Sequence, residues 1–246
     1  MADRQGETEI GGSGREFPVT AWTLLRKVRS DSPEARARAL QPLLETYWKP
    51  VYWLIRQAWR KTNEEAKDLT QDFFMRVVLE GELLDKYRPD RGGFRSFLKA
   101  SVLNFLRDDA KTAGAVKRGG GATLLRFPED SGEADFPMPQ TEATPESIFD
   151  AVWRQSALER AIELAATRLK ESGKSRAFEI FKRYDLGEKP ESYEEIAAAF
   201  GVSRDAVKDA LKLARAEFHS AVLEIVGEAV EGPEELEREV RELLGG

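Results

Sequence analysis

Beyond Ser32, large apolar residues return every three or four positions, and no alternation with a period of two persists for a useful length. That repeat puts apolar side chains on one side of a helix, so the chain is expected to be all-α. Thr20 stands as a cap before Trp22, Leu25 and Val28. Ser32-Pro33-Glu34 then combines a capping hydroxyl, a first-turn proline and an acid near the positive helix end. The helix it opens carries Leu40, Leu43, Leu44, Tyr47, Val51 and Leu54 on one face. Pro42 and Pro50 lie inside it and predict a kink or a break. Asn63 is read as the cap of a third helix with Ala66, Leu69, Phe73 and Val77 inward. The turn Tyr87-Arg88-Pro89-Asp90-Arg91-Gly92-Gly93 leads to a fourth, from Phe94 to about Ala113. Phe94, Leu98, Val102 and Phe105 share its inner face; Phe97, Ser101, Asn104, Asp108 and Lys111 share the other.

Between Lys117 and Ser147 the periodicity fails, and glycines, prolines and acids replace the large apolar residues. A tether is the natural reading. Helices resume near Ile148, with Leu158, Ile162, Ala165 and Leu169 on one face, and again over Ser175–Tyr184. The expected plan is a disordered N-terminus (1–18), a helical domain (19–116), a flexible acidic linker (117–147), a second helical domain (148–228) and an acidic extension (229–246). Pro233-Glu234-Glu235 starts one more helix there, with Leu236, Val240, Leu243 and Leu244 together. A helix of about a dozen residues is marginal alone in water, so these side chains should find a surface.

The sharpest local signal lies in the second domain. Ser192 to Phe200 reads as a short helix, Gly201-Val202-Ser203 as a turn, and Arg204 to about Val222 as a longer helix. Gly201 tolerates a left-handed backbone, and Ser203 caps the longer helix. Ala197 permits a close crossing, while Ile196, Val202, Val207 and Leu211 supply the wedge. This is a helix-turn-helix, whose second helix enters a DNA major groove. Ser203, Arg204, Lys208, Lys212 and Arg215 are its candidate DNA contacts; Asp205 and Asp209 repel phosphate beside them.

A net charge of −6 argues against a polyanionic partner until its distribution is considered. Residues 20–122 hold 20 Lys and Arg against 13 Asp and Glu, whereas residues 123–147 hold one against six and residues 227–246 two against seven. The first domain is therefore basic, and the acids sit in the linker and the tail. The chain has no cysteine and one histidine, His219, so disulfides, thiolate zinc sites and histidine-rich metal sites fall away. No Walker loop, dinucleotide fingerprint or paired-carboxylate setting occurs: no catalytic residue, metal or cofactor is expected, and the protein is read as a non-enzyme. Without a secretory or spanning segment, no membrane partner is expected either, and the location is read as cytoplasmic.

Two stretches of the first domain add chemistry. Glu65, Asp68 and Asp72 form an acidic stripe opposite the apolar face, a spacing that costs a few tenths of a kcal/mol until a basic partner removes it. Arg88, Arg91 and Arg95 stand beside Tyr87, Phe94 and Phe97, and cations among aromatic rings suit single-stranded DNA. The segment Glu65–Phe74, then Tyr87…Phe94-Arg95-Ser96-Phe97-Leu98 and Asn104, resembles the second conserved region of extracytoplasmic-function (ECF) sigma factors. Tyr193–Arg215 resembles region four of the same family. Over residues 20–115 and 150–223 the resemblance implies a region 2 bundle and a region 4 helix-turn-helix.

It further implies that Glu65, Asp68, Gln71 and Asp72 dock on the β′ clamp helices of core RNA polymerase. Tyr87, Arg88, Arg91, Phe94, Arg95, Phe97, Asn104 and Lys111 would bind and melt the −10 element; Ser203, Arg204, Lys208, Lys212 and Arg215 would bind the −35 element. The polymerase β flap and promoter DNA are further implied partners, and an anti-sigma protein or other regulator is allowed but not demanded. Lys67 stands where relatives usually carry an acid, and Asp108 departs from the usual polar or basic character. The alternatives are a helix-turn-helix regulator with an N-terminal sensing or interaction domain, and a helical adaptor that binds protein only. For the tail two placements stay open: an extension of the region 4 core, or a fold-back onto Arg204–Arg215 or Arg88–Lys111 that competes with DNA or polymerase.

Overall fold

Helices make up all the regular structure among the described residues. The computed structural model describes residues 33–79, 83–88, 91–112, 144–189, 191–227, 230 and 232–244. The N-terminal segment 1–18, the helix expected from Thr20 and nearly all of the linker lie outside these residues, as do Pro89 and Asp90.

Helix α1 (Pro33–Ala58) continues through Pro42 and Pro50, so the break that the sequence allows there does not occur. Each proline costs about 3 kcal/mol in a helix interior. Burial of a large apolar side chain returns roughly 1.5–3 kcal/mol, and Leu43, Leu44, Tyr47, Trp48, Val51, Tyr52, Leu54 and Ile55 are all buried on this helix. Packing therefore outweighs the two missing donors.

The cap of α2 (Asn63–Asp72) is Thr62, not Asn63. The Thr62 Oγ1 accepts from the Glu65 amide, and the Glu65 carboxylate accepts from the Thr62 amide at 2.9 Å. This reciprocal capping box satisfies two donors at once. Asn63 instead accepts from the Tyr52 hydroxyl at 2.8 Å. From Phe73 to Leu79 the helix widens into a π segment. The wider turn rotates the inner face, so Phe73, Phe74 and Val78 are buried while Val77 is only half-buried; Leu69, ahead of it, is half-buried too. After α3 (Leu83–Lys86), α4 (Phe94–Thr112) buries Phe94, Leu98, Val102 and Leu106, with Phe105 half-buried at the edge.

Helix α5 (Pro145–Glu171) is capped by Thr144, which accepts from the Ser147 amide at 3.2 Å. Its buried line runs through Ile148, Phe149, Val152, Trp153, Ala157, Ala161, Ala165 and Leu169; Leu158 and Ile162 flank it half-buried. The alanines fall where α5 packs on α1 and on α8, and small residues let the backbones approach there. Helices α6 (Ser175–Asp185), α7 (Tyr193–Phe200), α8 (Arg204–Gly227) and α9 (Pro233–Leu244) complete the chain.

Two hydrophobic cores result. The smaller joins Leu169, Ala177, Ile180, Phe181, Ile196, Val207, Leu211 and Ala214. The larger takes α1–α4, α5 as far as Ala165, the end of α8 (Ala221, Val222, Ile225, Val226) and Leu236, Val240 and Leu243 of α9. Elements on both sides of residues 113–143 thus share one core, a feature no local pattern announces. Leu244, expected with the other tail leucines, is exposed.

Candidate nucleic-acid interface

The helix-turn-helix is built by local rules. Ser192 caps α7 in a second capping box, accepting from the Glu195 amide while Glu195 accepts from the Ser192 amide at 2.7 Å. Gly201 ends α7 at φ 63°, in the left-handed region where a side chain would be strained. The Val202 amide returns to the Ala197 carbonyl at 3.0 Å. Ser203 Oγ accepts from the Ala206 amide at 3.2 Å and starts α8. Ile196, Val207 and Leu211 are fully buried between the helices; Ala197 and Val202 are half-buried beside them.

Arg204, Lys208, Lys212 and Arg215 are all exposed along α8. Arg204 Nε lies 3.0 Å from Glu194, with its guanidinium 5.9 Å from the Tyr193 ring centre. Lys208 Nζ lies 3.1 Å from Asp205. Arg215 makes a bidentate pair with Asp185 at 2.9 and 2.8 Å, over the Tyr184 ring. Exposed pairs of this kind contribute only about 0–1 kcal/mol, so a phosphate can displace them. His219 is exposed farther along α8. Beside the wedge lies an open groove of about 360 Å³, lined by Lys174, Arg176, Ala177, Ile180, Val202 and Leu213 among others.

The acidic stripe of α2 is present, with unequal members. Asp68 is exposed. Glu65 is exposed too, but the Thr62 amide and hydroxyl hold its carboxylate and keep its pKa below the usual range. Asp72 is half-buried and 2.6 Å from Arg76; burial raises its pKa against the lowering effect of that arginine. Gln71 is half-buried, and Lys67 lies 3.9 Å from Glu64.

The basic, aromatic block divides more sharply. Phe94 and Tyr87 are buried, and their rings meet edge-on at 5.4 Å. Neither presents a free face for base stacking in this conformation. Phe97 is half-buried against both, at 5.4 and 6.3 Å. Arg88, Arg91 and Asn104 are exposed, Arg88 donating to the Tyr87 carbonyl and Asn104 accepting from Arg107 at 3.1 Å. The Lys111 side chain lies outside the described residues.

Arg95 is the surprise, because its side chain is only 11% exposed and ringed by acids. Its Nε is 3.3 Å from Glu239 and 3.6 Å from Asp150; Glu242 pairs with Nη2; and the guanidinium sits 4.3 Å from the Trp153 ring centre. Burial acts to lower its pKa, but Glu239, Asp150 and Glu242 more than offset that, and the net shift is upward. Glu239 is itself pushed up by burial, against the pull of Arg95. Glu235, buried as well, accepts from the Phe94 amide at 2.8 Å and from the Tyr87 hydroxyl at 3.2 Å. The sequence shows Glu235 and Glu239 only as helix acids. Their position one turn apart, each next to an apolar residue of the inner face, is the signal that they turn inward.

Among the described residues the regular structure is all helical, and a well-formed helix-turn-helix is joined through a shared core to an acidic and aromatic bundle. Residues 19–224 match the family model described as ECF sigma factor, and the chain belongs to that family. It is a sigma factor for promoter-directed transcription initiation, and core RNA polymerase and promoter DNA are the partners its family implies. No curated protein and no solved structure matches it. Among the described residues, no helix is long and apolar enough to cross a membrane.

Proposed function

We propose that the chain docks on the polymerase β′ clamp helices through the exposed side of α2, reads the −35 element with the first turns of α8, and melts the −10 element with α4. The observation that carries this reading is the helix-turn-helix with Arg204, Lys208 and Lys212 exposed along one face of α8. Asp68 is the centre of the clamp contact, because Glu65 and Asp72 already have partners within the chain. The apolar groove beside the wedge suits an apolar segment of the β flap. On α4, Asn104 is exposed and Phe97 is half-buried at its side; Tyr87, Phe94 and Arg95 come within reach of a strand only if their present contacts open. Stacking of bases on rings would offset part of the few kcal/mol lost when a base leaves the duplex.

The test is a selection of promoter fragments from randomised duplex DNA by core polymerase carrying this chain, followed by permanganate probing of unpaired thymines. Wild-type protein should open the selected promoter, and Phe97→Ala with Asn104→Ala should bind it closed. Equal thymine reactivity in that double variant would remove α4 as the melting surface. A helix-turn-helix regulator with a sensing domain would instead bind DNA without core polymerase and open nothing.

A further inference from the structure

We infer that α9 is a built-in lid on the surface proposed to take the −10 strand, so that the free chain holds itself closed; the inference rests on that proposal. Three acids of α9 take the positions an incoming polyanion would need. Glu235 occupies the N-terminus of α4 through the Phe94 amide and holds the Tyr87 hydroxyl. Glu239 and Glu242 occupy Arg95. A helix N-terminus beside an arginine attracts phosphate, and here carboxylates of the same chain stand against both: Glu235 accepts from the Phe94 amide and Glu242 from Arg95 Nη2, while Arg95 Nε faces Glu239 at 3.3 Å as an ion pair without a hydrogen bond.

Gly93 lies where α9 crosses, and a Cβ there would stand 2.7 Å from Arg238 Nη2 and 3.0 Å from Glu235 Oε1. Leu236, Val240 and Leu243 anchor the lid beside Val222, Ile225 and Val226 of α8, so one short helix clasps the DNA-reading helix to the melting bundle. Opening it would release the Phe94 amide and the Tyr87 hydroxyl from Glu235, and Arg95 from Glu239 and Glu242; Asp150 and Trp153 of α5 would remain beside Arg95. Of the two placements that the sequence leaves open for the tail, its charged side folds back on the Arg88–Lys111 block, whereas its apolar side joins the larger core beside the end of α8 and not the smaller core of the helix-turn-helix.

Two forms of the chain test the lid: a truncation lacking residues 232–246, and the full-length double variant Glu235→Gln/Glu239→Gln. The second keeps the apolar anchor in case the truncation does not fold. The probe is a fluorescein-labelled single-stranded DNA 20-mer of random sequence, read by anisotropy at low salt. The double variant should bind it about tenfold more tightly than wild type, the gain expected if the open form is about a tenth of the population. Adding Arg95→Ala should abolish that gain. Equal affinity of wild type and double variant would overturn the lid, as would a gain that survives loss of Arg95. The same proteins assayed for transcription with core polymerase keep the two readings apart. Strand binding judges the lid, and transcripts judge the sigma-factor assignment.

Discussion

Glu235→Ala isolates the contact on which the clasp depends. The wild-type carboxylate accepts from the buried Phe94 amide and from the buried Tyr87 hydroxyl. Truncation leaves both donors without that acceptor, and an orphaned buried donor costs roughly 1–3 kcal/mol. The negative charge at the start of α4 is also lost, a further 0.3–1 kcal/mol or so. Against this, removing a buried carboxylate relieves its desolvation, which cancels part of the loss. The net expectation is a destabilisation of about 2 kcal/mol, or roughly 4–8 °C in Tm for a chain of this size. Glu235→Gln keeps an acceptor oxygen and should lose less than half as much. Urea unfolding gives the free energies, and amide exchange at Phe94 gives the location: its N–H should exchange faster in the alanine variant. A change below about 0.5 kcal/mol with unaltered Phe94 exchange would refute the reasoning, because such a contact would then be solvated in solution.

Other substitutions probe the remaining surfaces. Asp68→Arg should abolish co-purification with core polymerase while leaving stability within about 0.5 kcal/mol of wild type, since Asp68 is exposed; retained co-purification would discard the clamp assignment. Gly201→Ala should cost about 1–2 kcal/mol through its left-handed backbone alone, since no heavy atom lies within 4 Å of an added Cβ; an unchanged unfolding midpoint would contradict the observed turn. The Ser192 amide and hydroxyl hold the Glu195 carboxyl below its ordinary value of 4.5, so the unfolded chain takes up that proton first. Its stabilisation is present above about pH 4.5 and fades as the pH falls through the lower folded value. Glu195→Gln should therefore flatten part of the acid limb of stability against pH, and an identical limb would argue against the capping box.

What the sequence made legible was local. The helix-turn-helix could be placed because a capping serine, a left-handed glycine and a 3.6-residue apolar repeat all act within a few residues of one another. Thr62 was equally readable: Thr62…Glu65 has the spacing of a capping box, the same arrangement as Ser192…Glu195, and it decides against Asn63. The π segment was harder, since Phe73 and Phe74 are adjacent and helical periodicity allows only one of them fully inside. Least legible was the role of α9. Its acids match partners some 140 residues earlier in the chain, Glu235 with Phe94 and Glu242 with Arg95, and charge pattern within one helix carries no address for such a match. Burial of Phe94, by contrast, was legible from the inner face it shares with Leu98 and Val102, and its ring packs on Tyr47 of α1.

The most direct measurement of the central claim is run-off transcription from a selected promoter with core polymerase, with and without this chain. A transcript of defined start should appear only when the chain is present. Arg204→Ala/Lys208→Ala should reduce it, weakening DNA binding by about 1–3 kcal/mol for each of the two side chains that reads a base. No chain-dependent transcript from any fragment, or the same start site from core polymerase alone, would contradict the account.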